Sequence, residues 1–150
     1  MRIREADAGD IVPMARLERS GQLHPWSFAT FVLAFSRDER NIYVALAGET
    51  ICGFICAWPI PGEIQIHNLC VSPDARGRGV GRLLLKQVIA DAHRRQVPVF
   101  LEVRFGNLPA LELYRTAGFR VVGIRRDYYR DPAEDAALMS YDIGQQRRET

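Results

Sequence analysis

The sequence predicts one α/β domain, in which about seven short strands form a sheet flanked by about four helices. Strand-like stretches of five to nine residues alternate with segments whose apolar residues recur at helical spacing. The chain has 150 residues, 47% of them apolar and 25% charged, as expected of a globular domain with a buried core. No repeat or linker interrupts it, so we predict one domain over residues 1–150, with 144–150 as a polar, frayed tail.

The first elements are a strand and two helices. Residues 2–6 alternate in polarity, and Asp7 is a candidate N-cap for a helix that ends near Ser20-Gly21. Ser27 can cap the second helix. Its apolar side is predicted to carry Phe28, Phe31, Val32 and Phe35.

Three strands follow. Residues 41–47 and 50–58 flank a Gly48-Glu49 turn and predict a hairpin, which Pro59 and Pro61-Gly62 should end. The third strand, 63–71, changes the parity of its apolar residues near His67-Asn68. Such a change suggests a bulge or a local opening of the ladder.

The second half of the chain alternates helices and strands. A long amphipathic helix covers Val80 to about Arg95, and a buried strand covers 98–104. Asn107 is predicted to cap a helix that ends at Gly118. The last two strands are predicted at 119–126 and 137–143.

Composition and charge exclude several classes of protein. A net charge of +2 is too mild to predict nucleic-acid binding. No apolar run approaches the roughly 18 residues of a membrane span. The N-terminus lacks the apolar core of a signal peptide, so we expect a cytoplasmic protein with neither nucleic-acid nor membrane partners.

The three cysteines are predicted to be buried, reduced thiols. Cys52 and Cys56 are four residues apart on a strand, about 13 Å, which is too far to share a metal or a disulfide. No His, Cys, Asp or Glu cluster has metal-ligand spacing, so we predict no metal.

The turn SPDARGRGVGRLLL, residues 72–85, leads from a strand into the long helix. Neither the Walker A pattern nor the dinucleotide pattern GxGxxG fits it, since the position where each needs a further glycine holds Arg82. A helix N-terminus with free amides and a positive dipole still favours an anion such as pyrophosphate. Three glycines keep β-carbons away from those amides, and arginines add charge. An isolated turn of this kind could equally be a glycine cap beside a solvated basic face.

The pattern Arg76-x-x-Gly79-x-Gly81 resembles the acyl-CoA pyrophosphate loop of the GNAT acetyltransferases. The resemblance extends over the whole chain, and further motifs make it similar to the RimI group, the ribosomal-protein alanine N-acetyltransferases. Those motifs are Pro25-Trp26-Ser27, Asn68-Leu69-Cys70-Val71, Leu101-Glu102-Val103-Arg104, Asn107, Leu113-Tyr114, Gly118-Phe119 and Arg125-Arg126-Asp127-Tyr128-Tyr129.

This resemblance implies a mixed, mostly antiparallel twisted sheet and acetyl-CoA as co-substrate. It also implies a splayed strand pair, with free backbone groups that bind the pantetheine amides. The residues implied to bind the co-substrate are Leu69, Cys70, Val71, Arg76, Gly77, Arg78, Gly79, Val80, Gly81 and Asn107.

Two side chains are candidates for the chemistry. Glu102 interrupts an apolar strand, where burial would raise its pKa, although an ion pair with Arg104 on the same strand face is an alternative. The resemblance implies that Glu102 accepts the proton, through water. Tyr114 is a core tyrosine or, as the resemblance implies, the acid that protonates the leaving sulfur. A role for His67 in a proton path beside Glu102 is a weaker alternative.

The acceptor that the resemblance implies is a protein N-terminus, most specifically the N-terminal alanine of a small-subunit ribosomal protein, attacked directly in a ternary complex. Tyr128 and Tyr129 would flank the peptide. Gly106 stands where this group often has serine, and the loop 130–134 is short. The alternatives are another N-terminus, a lysine or a small amine as acceptor, or a silent CoA-binding module.

Overall fold

The computed structural model describes residues 1–144, which form one seven-stranded sheet with helices on both faces. The strand order is β1-β2-β3-β4-β5-β7-β6, and all neighbours run antiparallel except β4 and β5. This confirms the predicted fold class. Residues 145–150 of the predicted tail lie outside the described residues. The elements are β1 (Arg2–Glu5), α1 (Ile11–Gly21), α2 (Phe28–Phe35), β2 (Asn41–Ala47), β3 (Thr50–Ile60), β4 (Glu63–Val71), α3 (Val80–Arg95), β5 (Val99–Arg104), α4 (Leu108–Thr116), β6 (Arg120–Tyr129) and β7 (Glu134–Tyr141).

The predicted caps begin their helices. Asp7 caps a short 3₁₀ turn that leads into α1, and the Asp10 carboxylate accepts the Asp7 backbone N–H at 2.9 Å. Ser27 accepts a bond from the backbone of the first turn of α2 at 3.2 Å, and Asn107 does the same for α4 at 3.3 Å. Local sequence therefore sets these three starts.

Boundaries of strands β3, β6 and β7 differ from the prediction. Strand β3 does not end before Pro59 but continues to Ile60, with Pro59 opposite Ile64 of β4. The pairing of β2 with β3 ends at Ala57. Proline has no backbone N–H, but at position 59 no hydrogen bond to β2 is lost, because β2 no longer pairs there. Strands β6 and β7 extend further toward each other than predicted, and their register is irregular between Arg125 and Tyr129.

The predicted apolar side of α2 is only half right. Phe31 and Phe35 are buried, but Phe28 is 55% exposed and Val32 is 43% exposed. The buried face instead continues through Ala34. The helix meets α1 and the sheet along one narrow stripe, and residues three and four apart share that stripe.

The two faces of the sheet carry separate cores. Helices α3 and α4 pack on one face against all the central strands, where Leu84, Leu85 and Val88 are fully buried. Helices α1 and α2 pack on the other face, and the core there draws its buried strand residues only from β2, β3 and β4. The part of that face formed by β5 and β7 therefore has no helix packed over it and can hold a ligand-binding site.

A bulge at His67 divides β4. Cys56 of β3 lies opposite Asn68 and Ala57 lies opposite Ile66, so His67 is the extra residue. This confirms the predicted change of parity. Ile66 before the bulge packs in the α3 core, whereas Cys70 after it packs in the α1–α2 core.

The three cysteines are free and buried, as predicted. Over residues 1–144, no helix is long and apolar enough to cross a membrane.

Candidate active site

The cleft of the molecule lies where β4 and β5 separate. These parallel strands pair only at Ile64–Val99 and Gln65–Phe100. Beyond those pairs a cavity of about 550 Å³ opens, with residues 66–71 on one side and 101–104 on the other. The splayed strand pair implied by the resemblance is thus present.

Seven of the predicted site residues line this one cavity. Arg76 lies at the end nearest the glycine turn, where its Nε donates to the Val71 carbonyl oxygen at 3.4 Å. The cavity therefore runs from the start of the turn to the candidate catalytic side chains. Its predicted lining residues are Leu69, Cys70, Val71, Arg76, Glu102, Asn107 and Tyr114.

The rest of the glycine turn lies beyond the cavity, at the N-terminus of α3, and does not line it. Gly77 and Gly79 have φ of 78° and 81°, a region that favours glycine, and a β-carbon at either position would meet nothing within 4 Å. Arg78 is exposed beside them, whereas Val80 is buried in the core.

Gly81 also lies against a neighbouring helix. A β-carbon there would lie 3.1 Å from Cδ2 of Leu113. Gly81 therefore lets α3 approach α4, and its contact with the co-substrate stays a prediction.

The ion pair with Arg104, which was the alternative for Glu102, does not form. Oε1 of Glu102 lies 3.3 Å from Nε of Arg125 on β6, and the Glu102 side chain remains 24% exposed. Arg104 turns instead to Glu134, with Nη1 3.3 Å from Oε1. Glu102 and Arg104 lie on the same face of β5, as predicted. Their ion-pair partners, however, come from β6 and β7.

A second cavity, of about 650 Å³, opens beside Glu102 on the part of the sheet that α1 and α2 leave uncovered. His67 lies on its β4 side, and Arg125 and Tyr128 lie on its β6 side. The two cavities share part of their lining, so they meet at the carboxylate. The shared residues are Ile66, His67, Leu101, Glu102 and Tyr129.

Tyr114 lies inside the first cavity as a nearly buried phenol, 7% exposed. Burial raises its pKa well above the usual value, and the nearby Tyr129 adds to the effect. The phenol therefore keeps its proton at physiological pH and can act only as a donor of that proton.

His67 is held flat against an aromatic neighbour. Its ring stacks on Trp58 with centroids 3.8 Å apart, and the Arg37 guanidinium lies 4.7 Å from the centre of the same Trp58 ring. Desolvation, followed by the Arg37 charge, lowers the pKa of His67 to about 4. His67 is therefore neutral near pH 7.

Cys70 is the one cysteine that lines the first cavity. Burial raises its pKa to about 11, so it is not a thiolate at neutral pH. A covalent acyl-cysteine route would need that thiolate.

Glu18 lines the site but was not among the residues predicted from the sequence. This residue is 2% exposed, lines the first cavity and accepts a hydrogen bond from the Asn68 amide. Burial raises the pKa of its carboxyl. Its signal was present in the sequence, because Glu18 follows Ile11, Met14 and Ala15 at helical spacing on the apolar face of α1.

The β6–β7 loop is fixed beside the site by contacts that the sequence did not predict. Arg104 donates to the carbonyl oxygens of Arg130 and Pro132 at 3.0 and 2.8 Å. The backbone N–H of Gly106 donates to Glu134 at 2.6 Å, and a β-carbon on Gly106 would lie 2.3 Å from that carboxylate. Any side chain at position 106 would need the space that the Glu134 carboxylate occupies.

The loop between α1 and α2 reaches the same region. Nε2 of His24 donates to the Asp131 carbonyl oxygen at 2.8 Å, and His24 lines the first cavity. Among the residues described, no group of three or more His, Cys, Asp or Glu could hold a metal ion.

Known proteins share this fold over nearly its full length. The chain is 38% identical to the N-alpha-acetyltransferase RimI of Mycobacterium tuberculosis over 124 residues, covering 80% of this chain and 77% of that one. It is 32% identical over 145 residues to the [ribosomal protein bS18]-alanine N-acetyltransferase of Escherichia coli, covering 94% and 97%. The crystal structure of the ribosomal-protein-S18-alanine N-acetyltransferase from Escherichia coli superposes with a TM-score of 0.88 at 30% identity, covering 95% and 93%.

Residues 10–119 match the model of the acetyltransferase (GNAT) family, a span that holds the glycine turn, Glu102 and Tyr114. With the splayed strands and the relatives above, this match settles the family predicted from the glycine turn: the chain is an N-acetyltransferase of the GNAT family.

Proposed function

We propose that this protein transfers the acetyl group of acetyl-CoA to the N-terminal amine of a cytoplasmic protein, specifically the N-terminal alanine of a small-subunit ribosomal protein. The alanine and the ribosomal acceptor come from the relatives, whose names specify that reaction. The observation that carries the proposal is the meeting of two cavities at Glu102, since a transferase needs a donor and an acceptor to reach one point.

The first cavity suits the donor. Between residues 66 and 71, β4 has lost its partner β5, so backbone groups on that edge are free to bond the amides of a pantetheine arm. The open glycine turn at the N-terminus of α3 follows directly, with Arg76 and Arg78 beside it. Free amides, the helix dipole and two cations fit a pyrophosphate.

The second cavity suits the acceptor. Arg125 and Tyr128 can bond the backbone of a peptide whose terminal amine lies at Glu102. Glu102, directly or through a water molecule, accepts a proton from the ammonium. The neutral amine then attacks the thioester carbonyl carbon.

The leaving group departs toward Tyr114. As the carbon–sulfur bond breaks, its electron pair stays on sulfur, and the Tyr114 phenol gives that sulfur a proton. After the attack the nitrogen loses a second proton to solvent, the proton taken up by Glu102 is also released to solvent, and the phenolate regains one from solvent. One acetyl group thus moves from sulfur to nitrogen, and one net proton is released per ammonium consumed.

An α-amine suits this carboxylate better than a lysine. An α-amine has a pKa near 8, so roughly a quarter of it is neutral at pH 7.5, whereas lysine with a pKa near 10.4 is about 0.1% neutral. Deprotonation of an N-terminal amine by a carboxylate base therefore costs less free energy than deprotonation of a lysine.

The test is acetyl transfer to synthetic peptides, followed by mass spectrometry. A peptide that begins with alanine should gain one acetyl group at its N-terminus. The same peptide with a blocked α-amine and an internal lysine should gain none. Transfer to the blocked peptide would overturn the N-terminal acceptor, and failure to bind acetyl-CoA in calorimetry would overturn the proposal altogether.

A further inference from the structure

A buried carboxyl of α1 contacts the functional edge of β4. Glu18 is one of three buried carboxyl side chains among residues 1–144, with Asp10 and Asp91, and it accepts a hydrogen bond from the side-chain amide of Asn68. Fifty positions separate the two residues, so the bond joins two elements rather than capping one. A buried acidic group that pairs with a single amide costs desolvation, so its presence needs a reason beyond packing.

The bulge explains why Asn68 faces α1. Without an extra residue at His67, the alternation that places Ile66 in the α3 core would also place Asn68 there. With the bulge, Asn68 lies opposite Cys56 and its side chain points to the α1 side, where Glu18 accepts its hydrogen bond. The Glu18–Asn68 bond is thus compatible only with the bulged register.

The segment after the bulge is held on one edge only. It pairs with β3 through residues 68–71 and its side chains pack into both cores, but β5 has already diverged, so its other edge faces the cavity. The orientation of the free backbone groups of residues 69–71 therefore depends on the β3 ladder and on the register that the bulge imposes.

We propose that Glu18 is a positioning residue for the donor site: through Asn68 it holds the bulged register of β4 and so orients the backbone groups of residues 69–71 toward acetyl-CoA. The inference rests on the proposed function, because it assumes that acetyl-CoA occupies the first cavity. Glu18 acts through Asn68 and is not itself required to touch a reacting atom.

Three variants test this bond. Glu18→Gln keeps an oxygen that accepts from Asn68, so it serves as the matched control and should bind acetyl-CoA within about twofold of the parent. Asn68→Asp places two acceptors together and should weaken acetyl-CoA binding about tenfold at pH 8, the effect of losing one buried hydrogen bond. In the double variant, the new amide at position 18 donates to the new carboxylate at position 68, with size and net charge as in the parent.

The measurements are the Kd of acetyl-CoA by calorimetry and the KM of the peptide. The inference predicts a raised Kd for Asn68→Asp, recovery in the double variant, and an unchanged KM for the peptide in all three. A merely structural bond would lower the melting temperature without this selective effect on the donor. An unchanged Kd in Asn68→Asp, or no recovery in the double variant, would overturn the inference. A parent protein that binds no acetyl-CoA would instead overturn the proposed function.

Discussion

The two sides of the cleft contribute in different ways. On the β4 side, residues 66–71, the apolar side chains pack into the cores on the two faces of the sheet, so this strand presents mainly backbone to the cavity. On the β5 side, residues 101–104 together with Tyr114, the functional groups are side chains. Glu102 lies on the uncovered face, between Arg125 and the cavity.

This difference follows from the cover over each strand rather than from strand pairing. Strands β4 and β5 each keep one partner, β3 and β7, and lose each other, so both have free peptide groups on the edge that faces the cleft. Both faces of β4 carry packed side chains, whereas no helix covers the second face of β5. Substitutions on the β5 side should therefore change the chemistry, and those on the β4 side should change binding or stability.

Glu102→Gln should have the largest effect. The amide keeps the size of the carboxyl but cannot take a proton, so we expect kcat to fall by about 10²–10⁴. Steady-state kinetics with an alanine peptide would measure this. The Kd of acetyl-CoA should stay within about twofold, and a variant with full kcat would remove Glu102 from the chemistry.

Tyr114→Phe should come next. The phenyl ring retains the edge contact with Phe119, whose centroid lies 5.7 Å away, so the fold should be kept. Loss of the donor to sulfur should lower kcat by about 10²-fold. Because the effect concerns the leaving group, a donor thioester whose thiol is more acidic should restore part of the rate. Equal losses for both thioesters would contradict this role.

Gly106→Ala should affect the acceptor more than the donor. The added β-carbon would lie 2.3 Å from the Glu134 carboxylate, so that carboxylate must move away from the Gly106 N–H and from Arg104, the bonds that fix the β6–β7 loop. We expect the KM of the peptide to rise about tenfold, at a cost of about 1–2 kcal/mol in binding, with the acetyl-CoA Kd unchanged. Calorimetry of both ligands separates the two effects, and a weakened donor alone would refute the assignment of this loop to the acceptor.

His67→Gln tests the β4 side through pH. The folded-state pKa of about 4 lies below the value near 6.5 of an unfolded histidine, so the unfolded chain binds more protons between those values. The free energy of unfolding should therefore fall as the pH drops from about 6.5 to about 4, and part of that fall should vanish in the variant. Urea unfolding at pH 7.5 and pH 5 gives the comparison. The same pH dependence in both proteins would show that His67 is not desolvated.

Cys70→Ala should have the smallest effect. The Cys70 thiol has a pKa near 11 and packs into the α1–α2 core, so turnover should stay within about twofold. Stability should fall by about 1 kcal/mol for the lost packing. A loss of turnover larger than the loss of stability would indicate that the thiol takes part in transfer, and the contrast between the two sides would no longer hold.

The helices and strands could be predicted well because their signals are local. Ser27 and Asn107 cap helices through bonds to residues only three positions away. The change of parity at His67 was likewise visible in a nine-residue stretch, since side-chain alternation reports each strand face directly. The end of β3 was predicted wrongly at Pro59. A strand can contain a proline where the neighbouring strand no longer pairs with it, and where β2 stops could not be predicted from the local sequence.

The partners of the charged residues could not be predicted in this way. Arg104, two residues from Glu102 on the same strand, was the partner that the sequence suggested. Glu102 instead pairs with Arg125 of β6, which is separated from β5 by β7 in the sheet. The packing role of Gly81 could not be predicted for the same reason, because Leu113 approaches it from another helix.

The sequence by itself determined the order of the elements, the caps, the bulge and the glycine turn, because each depends on spacing along a few consecutive residues. The tertiary structure alone decided that β4 and β5 part after two pairs, that Glu18 meets Asn68, and that two cavities join at Glu102. These depend on contacts between elements far apart in the chain, whose distances are fixed only when the sheet and its two cores assemble.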